Sequence, residues 1–340
     1  MNVLSLFDGI SCGMVALERV GIKVDKYYAS EIDKNAIKIS KKNYPDIIQL
    51  GDVIKWREWD INWESIDLLI GGSPCQGFSF AGKQLNFEDT RSKLFFEFVD
   101  ILNHVKKNNS NVKFLLENVK MKKEYCDVIS KYLNVLPIEI NSNLVSAQNR
   151  KRLYWTNIPN VTIPEDKGIL LKDIVHETQG VSTEELTNYI VPFDKTLMIL
   201  NKEVQKGKIG YFRKDSQANR VYTIHGKAVT LCGEAGGGAA KMGQYLFGCI
   251  TPERVEKRQN GQRFNTGNKF YTITAQDRHG VLINGYIRKL TPVECERLQT
   301  LPDNYTDADV TISNRYKCLG NGWTVDVIAH IFSCMKKEVK

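Results

Sequence analysis

The 340-residue sequence lacks the cysteine and histidine patterns of metal sites and of disulfide-rich domains. It has eight cysteines and five histidines, and no two of the cysteines form a Cys-x-x-Cys pair. Zinc sites and disulfide frameworks both depend on such regular spacings, so neither is expected. We predict reduced thiols in a cytoplasm, where any one of the cysteines is free to act in catalysis.

Long apolar runs are also absent, and none of the runs that are present could span a bilayer. The N-terminus runs from Met1 directly into Asp8 and Gly9 and has neither a basic leader nor a small-residue cleavage site. We therefore interpret it as a structural strand and expect no membrane partner. With 42% hydrophobic and 25% charged residues, the composition is that of an ordinary globular protein.

Acidic residues are scarce in one segment. Residues 201–290 contain 16 Lys and Arg against 6 Asp and Glu, a balance of +10, whereas the whole chain carries +8. A local excess of this kind predicts a face that binds a polyanion. A solvated basic surface is the alternative that charge alone leaves open.

The first ~155 residues alternate short β-branched runs with amphipathic stretches. This alternation predicts an α/β fold with a doubly wound, mostly parallel sheet. The predicted strands are 3–7, 26–30, 47–50, 66–71, 114–117 and 153–157, and the predicted helices are 13–20, 33–43, 92–105 and 122–133.

Between about residues 160 and 285 the helical periodicity fades, and glycines interrupt short predicted strands at 221–225, 228–232, 270–274 and 279–283. We predict a second, smaller, irregular β-rich domain over 161–285. Segments 292–298 and 324–336 are again helical and are expected to return to the first domain. That domain would therefore comprise 1–160 plus 286–340.

Polar residues follow the first three predicted strands, at the edge where such sheets bind ligands. The Gly9 turn would let the backbone approach a ligand, Glu31 could accept hydrogen bonds from two ribose hydroxyls, and Asp52-Val53 offers an acceptor beside an apolar wall. Together they predict a nucleotide cofactor without identifying it. NAD would be held similarly, but its denser Gly-x-Gly-x-x-Gly motif is absent. Tight packing at the glycines and a solvated glutamate are the alternatives.

The fourth strand leads into Gly71-Gly72-Ser73-Pro74-Cys75-Gln76. Free cysteines usually lie in a core, but one beside proline in a glycine-rich loop is better placed to be a nucleophile. Glu117, after the fifth strand, could protonate or bind a ring nitrogen, or only backbone amides. Arg150 and Arg152 alternate along a strand and so share a face. They could hold a carbonyl oxygen, a phosphate or Glu117.

In this order and spacing, the motifs resemble those of the DNA cytosine-5 methyltransferase family, of bacterial or phage type, over nearly the whole chain. The N-terminal half also resembles the catalytic domains of animal de novo methyltransferases. The matching motifs are Phe7-Asp8-Gly9, Glu31, Gly51-Asp52-Val53, Pro74-Cys75-Gln76, Glu117-Asn118-Val119, Gln148-x-Arg150-x-Arg152, Arg288-x-Leu290-x-Pro292-x-Glu294-Cys295 and Gly320-Asn321-Gly322. One departure is Gly322-Trp323, where many relatives have Ser or Ala followed by an aliphatic residue.

The resemblance implies transfer of a methyl group from S-adenosylmethionine to carbon 5 of a cytosine in double-stranded DNA. Cys75 would attack carbon 6, Glu117 would bind ring nitrogen 3 and the exocyclic amine, and Arg152 would bind the ring carbonyl. Arg150 would support the pocket or bind a nearby phosphate. The implied cofactor residues are Phe7, Asp8, Gly9, Ile10, Glu31, Ile32, Asp52, Val53, Pro74, Asn321 and Thr324, and the implied DNA-binding residues are Gln76, Ser79, Gln217 and Arg220.

Three other functions are alternatives to this one. A transfer-RNA methyltransferase would use the same catalytic residues but usually has a shorter recognition domain. A non-catalytic DNA-binding accessory protein would tend to lose Cys75 or Glu117, and a nicotinamide-dependent oxidoreductase would have no use for the Pro-Cys-Gln loop. The sequence leaves open the recognition motif and whether a cognate restriction endonuclease accompanies the chain. We expect a monomer.

Overall fold

The computed structural model describes residues 1–73, 90–175, 190–191, 198–205, 208–212, 220–224, 226–231, 244–247, 286–288 and 290–339. Within these ranges, a seven-stranded sheet has the order β3-β2-β1-β4-β5-β7-β6. Its strands are β1 (Asn2–Leu6), β2 (Lys26–Ser30), β3 (Ile48–Gln49), β4 (Leu68–Gly71), β5 (Lys113–Val119), β6 (Ile138–Asn141) and β7 (Lys151–Thr156).

Strands β1 to β5 pair in parallel, and β7 lies antiparallel between β5 and β6. The predicted α/β fold with a mostly parallel, doubly wound sheet is therefore confirmed. Strand β6 was not predicted. The spatial order β5-β7-β6 at that end of the sheet was not predicted either.

Helices cover both faces of this sheet. They are α1 (Cys12–Arg19), α2 (Lys34–Asn43), α3 (Thr90–Asn108), α4 (Lys123–Leu133), α5 (Pro292–Leu298), α6 (Ile312–Asn321) and α7 (Val325–Ser333). Because strand side chains alternate between faces, Val3 and Ile70 pack into one core with α1 and α7. Leu4 and Leu69 pack into the other core with α3 and α4. None of the helices in the described part of the chain is long and apolar enough to cross a membrane.

The second predicted unit is also β-rich. A six-stranded sheet has the order β8-β13-β12-β11-β10-β9, with β11 and β12 parallel and the other pairs antiparallel. Its strands are β8 (Ile190–Val191), β9 (Met198–Gln205), β10 (Lys208–Phe212), β11 (Arg220–Thr223), β12 (Gln244–Phe247) and β13 (Tyr286–Arg288).

In the predicted strand 228–232, the described residues 228–231 do not form a strand, and Ala228 forms an isolated bridge with Gln148. Predicted strands 270–274 and 279–283 lie outside the described residues. The division into 1–160 plus 286–340 and 161–285 stays a prediction.

A buried carboxylate ties the C-terminal helices together. Glu296, on α5, is fully buried and accepts hydrogen bonds from the backbone N of Asn304 (2.7 Å) and of Thr306 (2.9 Å). Its Oε1 also lies 2.9 Å from the guanidinium of Arg315, on α6. A buried pair of this kind is costly to break, because the largely buried guanidinium would keep, among the described residues, only the longer ion pair with Asp307, at 3.8 Å. Glu296 thus fixes the position of α6, at whose end the Gly320-Asn321-Gly322 motif lies.

We expect Glu296→Ala to lower the free energy of unfolding by about 3 kcal/mol, since Arg315 would keep its charge in a largely buried site. Urea unfolding of the full chain measures this loss. The matched control is Glu124→Ala, which removes an exposed carboxylate on α4 and should change stability little. Equal losses in the two variants would contradict the role given to the buried pair.

Candidate active site

The turn between β1 and α1 has an unusual backbone. Phe7, Gly9 and Ser11 all have positive φ angles, of 57°, 62° and 59°. Left-handed conformations at non-glycine residues are strained and concentrate at ligand sites. No atom lies within 4 Å of the position that a Cβ on Gly9 would occupy, so this turn faces open space.

Asp8 keeps the turn in this shape. Its carboxylate accepts hydrogen bonds from the hydroxyls of Tyr27 (2.8 Å) and Ser11 (2.6 Å). Burial raises the pKa of Asp8, although these hydrogen bonds oppose the shift. Ile10 is also a predicted cofactor residue. Its side chain is buried in the core, and its carbonyl accepts a hydrogen bond from the hydroxyl of Tyr305. Asp8 and Ile10 therefore shape the turn from inside.

Glu31 joins the ends of β1 and β2. Its Oε2 accepts from the backbone N of Gly9 (2.8 Å), and its Oε1 accepts from the backbone N of Ile32 (2.7 Å) and of Asp33 (2.8 Å). The carboxylate is thus held by three backbone amides, whereas the alternative for Glu31 was a solvated glutamate. These bonds orient the group, and a carboxylate has about four lone-pair sites, so it retains acceptor capacity for a ribose hydroxyl.

Two exposed isoleucines lie beside the polar residues at this edge. Ile32 follows Glu31 and is 70% exposed, and Ile54, which the sequence analysis did not single out, is 58% exposed. The side chain of Asp52 accepts from the backbone N of Ile54 (3.1 Å), and Val53 is buried. An adenine ring requires apolar surfaces next to a few polar groups, and this edge of the sheet supplies both.

A second group of side chains surrounds Glu117, near the end of β5. Its side chain is almost fully buried, and Oε1 lies 2.9 Å from Nε of Arg152, on the neighbouring strand β7. Its Oε2 accepts a hydrogen bond of 3.2 Å from the indole N–H of Trp323. Of the three partners considered for the arginines, the structure thus shows Arg152 against Glu117, and Trp323 is a further partner that was not predicted.

Asn118 links this group to the cysteine loop. Its Nδ2 lies 3.4 Å from the carbonyl O and 3.2 Å from Oγ of Ser73, and its Oδ1 accepts from the backbone N of Val119. Ser73 is the residue before Pro74-Cys75, so Asn118 anchors the start of that loop beside Glu117. Pro74, Cys75, Gln76 and Ser79 themselves lie outside the described residues.

Arg150 is buried, and its guanidinium donates to three backbone carbonyls. Its Nη1 donates to Leu231 (2.9 Å), and its Nη2 donates to Gly320 (3.0 Å) and Gly322 (3.0 Å). The guanidinium therefore connects the start of β7 with residues 226–231 and with the C-terminal motif. These contacts hold the guanidinium in place within the protein, and its role as a support for the pocket or in binding a phosphate stays a prediction.

Asn321 and Thr324, the two C-terminal residues predicted to bind the cofactor, differ in exposure. Asn321 is exposed at the end of α6. Thr324 is buried, and its hydroxyl donates to Oε1 of Gln299 (2.8 Å), whose Nε2 in turn donates to the carbonyls of Leu319 (2.6 Å) and Gly322 (3.2 Å). The Thr324 side chain therefore supports the motif, and a direct contact with a cofactor stays a prediction.

Residues 1–337 match the family model described as C-5 cytosine-specific DNA methylase. The chain belongs to this family. The family model and the seven-stranded sheet thus agree with the motifs read from the sequence.

Several members of the family are similar to this chain over almost its full length. The orphan methyltransferase M.SPRI of Bacillus phage SPR is 29% identical, covering 98% of this chain and 96% of that protein. The type II methyltransferase M.HhaI of Haemophilus parahaemolyticus is 28% identical, covering 97% and 93%. Among solved structures, the Entamoeba histolytica methyltransferase EhMeth has a TM-score of 0.67 at 18% identity, covering 100% and 99%. That last likeness shows a shared fold.

The cysteines that the structure describes are poor candidates for the nucleophile of a DNA methylase. Cys12, Cys295, Cys318 and Cys334 are buried. Burial raises the pKa of Cys12 and of Cys318 to about 12, and also raises the pKa of Cys126. The thiolate is the reactive form of cysteine. Burial and a raised pKa both oppose its formation or its access to substrate, so these cysteines are disfavoured as the nucleophile. Cys75, Cys232 and Cys249 lie outside the described residues.

Of the four residues predicted to contact DNA, the structure describes Arg220. Arg220 begins β11, where it pairs with Tyr211 of β10, and its side chain is half-buried. Gln217 lies outside the described residues, as do Gln76 and Ser79. Their roles stay predictions. No cluster of three His, Cys, Asp or Glu side chains placed to hold a metal ion occurs among the residues that the structure describes.

Proposed function

We propose that this chain transfers a methyl group from S-adenosylmethionine to carbon 5 of a cytosine that has been flipped out of duplex DNA. The observation that carries the proposal is the buried Glu117 carboxylate, which Arg152 and Trp323 hold on either oxygen. Next to it, Asn118 anchors the residue that precedes Pro74-Cys75. Membership of the C-5 cytosine-specific DNA methylase family supports both the base and the position on its ring.

Carbon 5 of cytosine is a weak nucleophile, so the ring must first be activated. We propose that the Cys75 thiolate forms a bond to carbon 6, which moves electron density to carbon 5. Glu117 delivers a proton to ring nitrogen 3 and accepts a hydrogen bond from the exocyclic amine, and Arg152 donates to the ring carbonyl, so that charge developing on the ring is stabilised. After methylation a base, either water or a side chain, removes the proton from carbon 5, and the bond between carbon 6 and sulfur breaks to release the thiolate.

The carboxyl edge of β1, β2 and β3 fits S-adenosylmethionine, which supplies a methyl group activated by a sulfonium centre. We propose that Glu31 binds the ribose, Ile32 packs on the adenine, and Asp52 with Val53 reads the adenine edge. Phe7, Gly9 and Pro74 would lie near the methionine part, with Asp8 and Ile10 shaping the turn and Asn321 and Thr324 contributing from the C-terminal segment. The open space at Gly9, and also at Gly51, supports this placement.

The basic segment 201–290 is proposed to bind the DNA, with Gln76, Ser79, Gln217 and Arg220 among the contacts. A cytosine inside a duplex is unreachable, and extruding it costs a few kcal/mol in lost stacking and pairing. Phosphate contacts by the basic side chains and the pocket around Glu117 would offset this cost. We further propose that 161–285 forms the target recognition domain and that the chain acts as a monomer.

Binding to duplex DNA should weaken steeply with salt, because each phosphate contact by Lys or Arg releases a counterion. For roughly six such contacts, the association constant is expected to fall by about 10³-fold between about 50 and 200 mM salt. Fluorescence anisotropy with a labelled duplex measures this, and the affinity for S-adenosylmethionine serves as the control. A flat response for DNA would remove the role given to residues 201–290.

The proposed function is tested by incubating the protein with methyl-labelled S-adenosylmethionine and either duplex DNA or transfer RNA. Label in duplex DNA, at sites that bisulfite sequencing maps to cytosines, is the expected result and would also reveal the recognition motif. Label in transfer RNA alone would favour the RNA methyltransferase. DNA binding with no label in either substrate would favour the accessory protein.

A further inference from the structure

The loop between α6 and α7 contacts the carboxylate of Glu117, the proposed catalytic group. Trp323 lies in this loop, and its indole N–H donates to Oε2 of Glu117 at 3.2 Å. Among the described residues it is the only observed donor to that oxygen, while Arg152 occupies Oε1 at 2.9 Å. The two oxygens of one carboxylate are thus held by side chains from two distant parts of the chain.

Two donors define an orientation that one donor cannot. The terminal torsion of a glutamate side chain is broad, so a carboxylate held only through Oε1 can still turn about that torsion. The second bond, at Oε2, fixes the plane of the group. With both oxygens held, the remaining lone pairs point in set directions, as recognition of a base edge requires.

The indole is itself held firmly. The carbonyl of the preceding residue, Gly322, accepts from Arg150 (3.0 Å) and from Gln299 (3.2 Å). The ring lies against Gly72, where an added Cβ would come within 3.0 Å of the indole nitrogen and 3.1 Å of Glu117 Oε2. Glycine at position 72 therefore makes room for this contact, and the loop carrying Trp323 has little freedom to move away.

From this geometry, and given the proposed function, we infer that Trp323 is a positioning residue that fixes the Glu117 carboxylate for recognition of the target cytosine. Its indole N–H acts through Glu117 and touches no reacting atom. Loss of the N–H alone should slow covalent addition to the base by at least about 10-fold, the lower end of the effect of removing one hydrogen bond to a charged group. The affinity for S-adenosylmethionine should stay within about 2-fold, because replacing the N–H alone preserves the shape of the ring beside Asn321 and Thr324 and leaves Glu31 and the β1 turn unaltered.

The sharpest test replaces the N–H and preserves the shape of the ring. Site-specific incorporation of benzothienylalanine at position 323 exchanges the indole N–H for sulfur. The measured quantity is the single-turnover rate of adduct formation with a duplex that carries 5-fluorocytosine at the methylated position. The same substitution is then made in Glu117→Gln. There the amide oxygen should face the charged Arg152 and the NH₂ group should face the indole, so the N–H has no acceptor and its loss should matter far less.

Trp59 provides the matched control. Its indole N–H is buried without a hydrogen-bond partner among the described residues, so the same replacement there should leave the rate unchanged. A loss of at least about 10-fold at position 323 that vanishes in the Glu117→Gln background would support the inference. An unchanged rate at 323, or an equal loss in both backgrounds, would overturn it. Failure of the unsubstituted protein to form any adduct would instead overturn the proposed function.

Discussion

Cys75→Ser is expected to reduce methyl transfer by at least about 10⁴-fold, the scale on which removing a catalytic nucleophile acts. A serine hydroxyl is hardly ionised at neutral pH, and no base is proposed that would activate it. Affinity for duplex DNA should persist, because the basic segment 201–290 is unchanged. Single-turnover methylation and anisotropy measure the two effects separately.

The matched control is Cys126→Ser, which makes the same exchange on α4, at a half-buried thiol with no proposed role. Its rate should stay near that of the unaltered protein. If Cys75→Ser methylated at full rate, or if Cys126→Ser lost as much activity, Cys75 would not be the nucleophile.

Glu117→Gln is expected to slow methyl transfer by about 10²–10³-fold, the usual cost of removing a preorganised electrostatic contact from an active site. An amide has one oxygen and one NH₂ group, whereas Arg152 and Trp323 both donate to the native carboxylate. One of the two donors would therefore face another donor. The amide also cannot deliver a proton to ring nitrogen 3. Single-turnover rates, compared with the affinity for cofactor, should show a loss in chemistry and not in cofactor binding.

Glu139→Gln is a suitable control for that variant. Glu139 lies on β6, in the same sheet, and its carboxylate pairs with Lys120 and Lys151 at a partly exposed site. Neutralising it should leave the methylation rate nearly unchanged. Equal losses in the two variants would show that the effect comes from charge in general, and not from the catalytic carboxylate.

Elements with a clear periodic pattern could be predicted from the sequence. Strand β2 and helix α5 have the predicted bounds, and α5 begins at a Thr291–Glu294 capping box with proline at its first position. Strand β6 was missed because four residues, Ile138–Asn141, are too few to show an alternation. Helix α6 was missed because its sequence is mostly polar, and its position depends on the buried Glu296–Arg315 pair. A pairing between distant residues leaves no local signal.

The same distinction between local signals and pairings of distant residues applies to the candidate site. Glu31, Asp52 and Glu117 could be placed because each follows or ends a strand, and parallel strands bring those ends to one edge. The burial of Arg150 against three carbonyls could not be foreseen, since its partners Leu231, Gly320 and Gly322 are far away in sequence. For Trp323 there was a signal, a large aromatic residue where many relatives have an aliphatic one, but its hydrogen bond to Glu117 required the structure.

The central claim is tested most directly by trapping the covalent intermediate. A duplex with 5-fluorocytosine in the recognition motif is incubated with the protein and S-adenosylmethionine, because fluorine on carbon 5 cannot leave as the proton does. We predict a complex that survives denaturation, with the nucleotide attached to Cys75 when the peptides are mapped by mass spectrometry. A methylated but unattached duplex, or attachment at any other residue, would contradict the account.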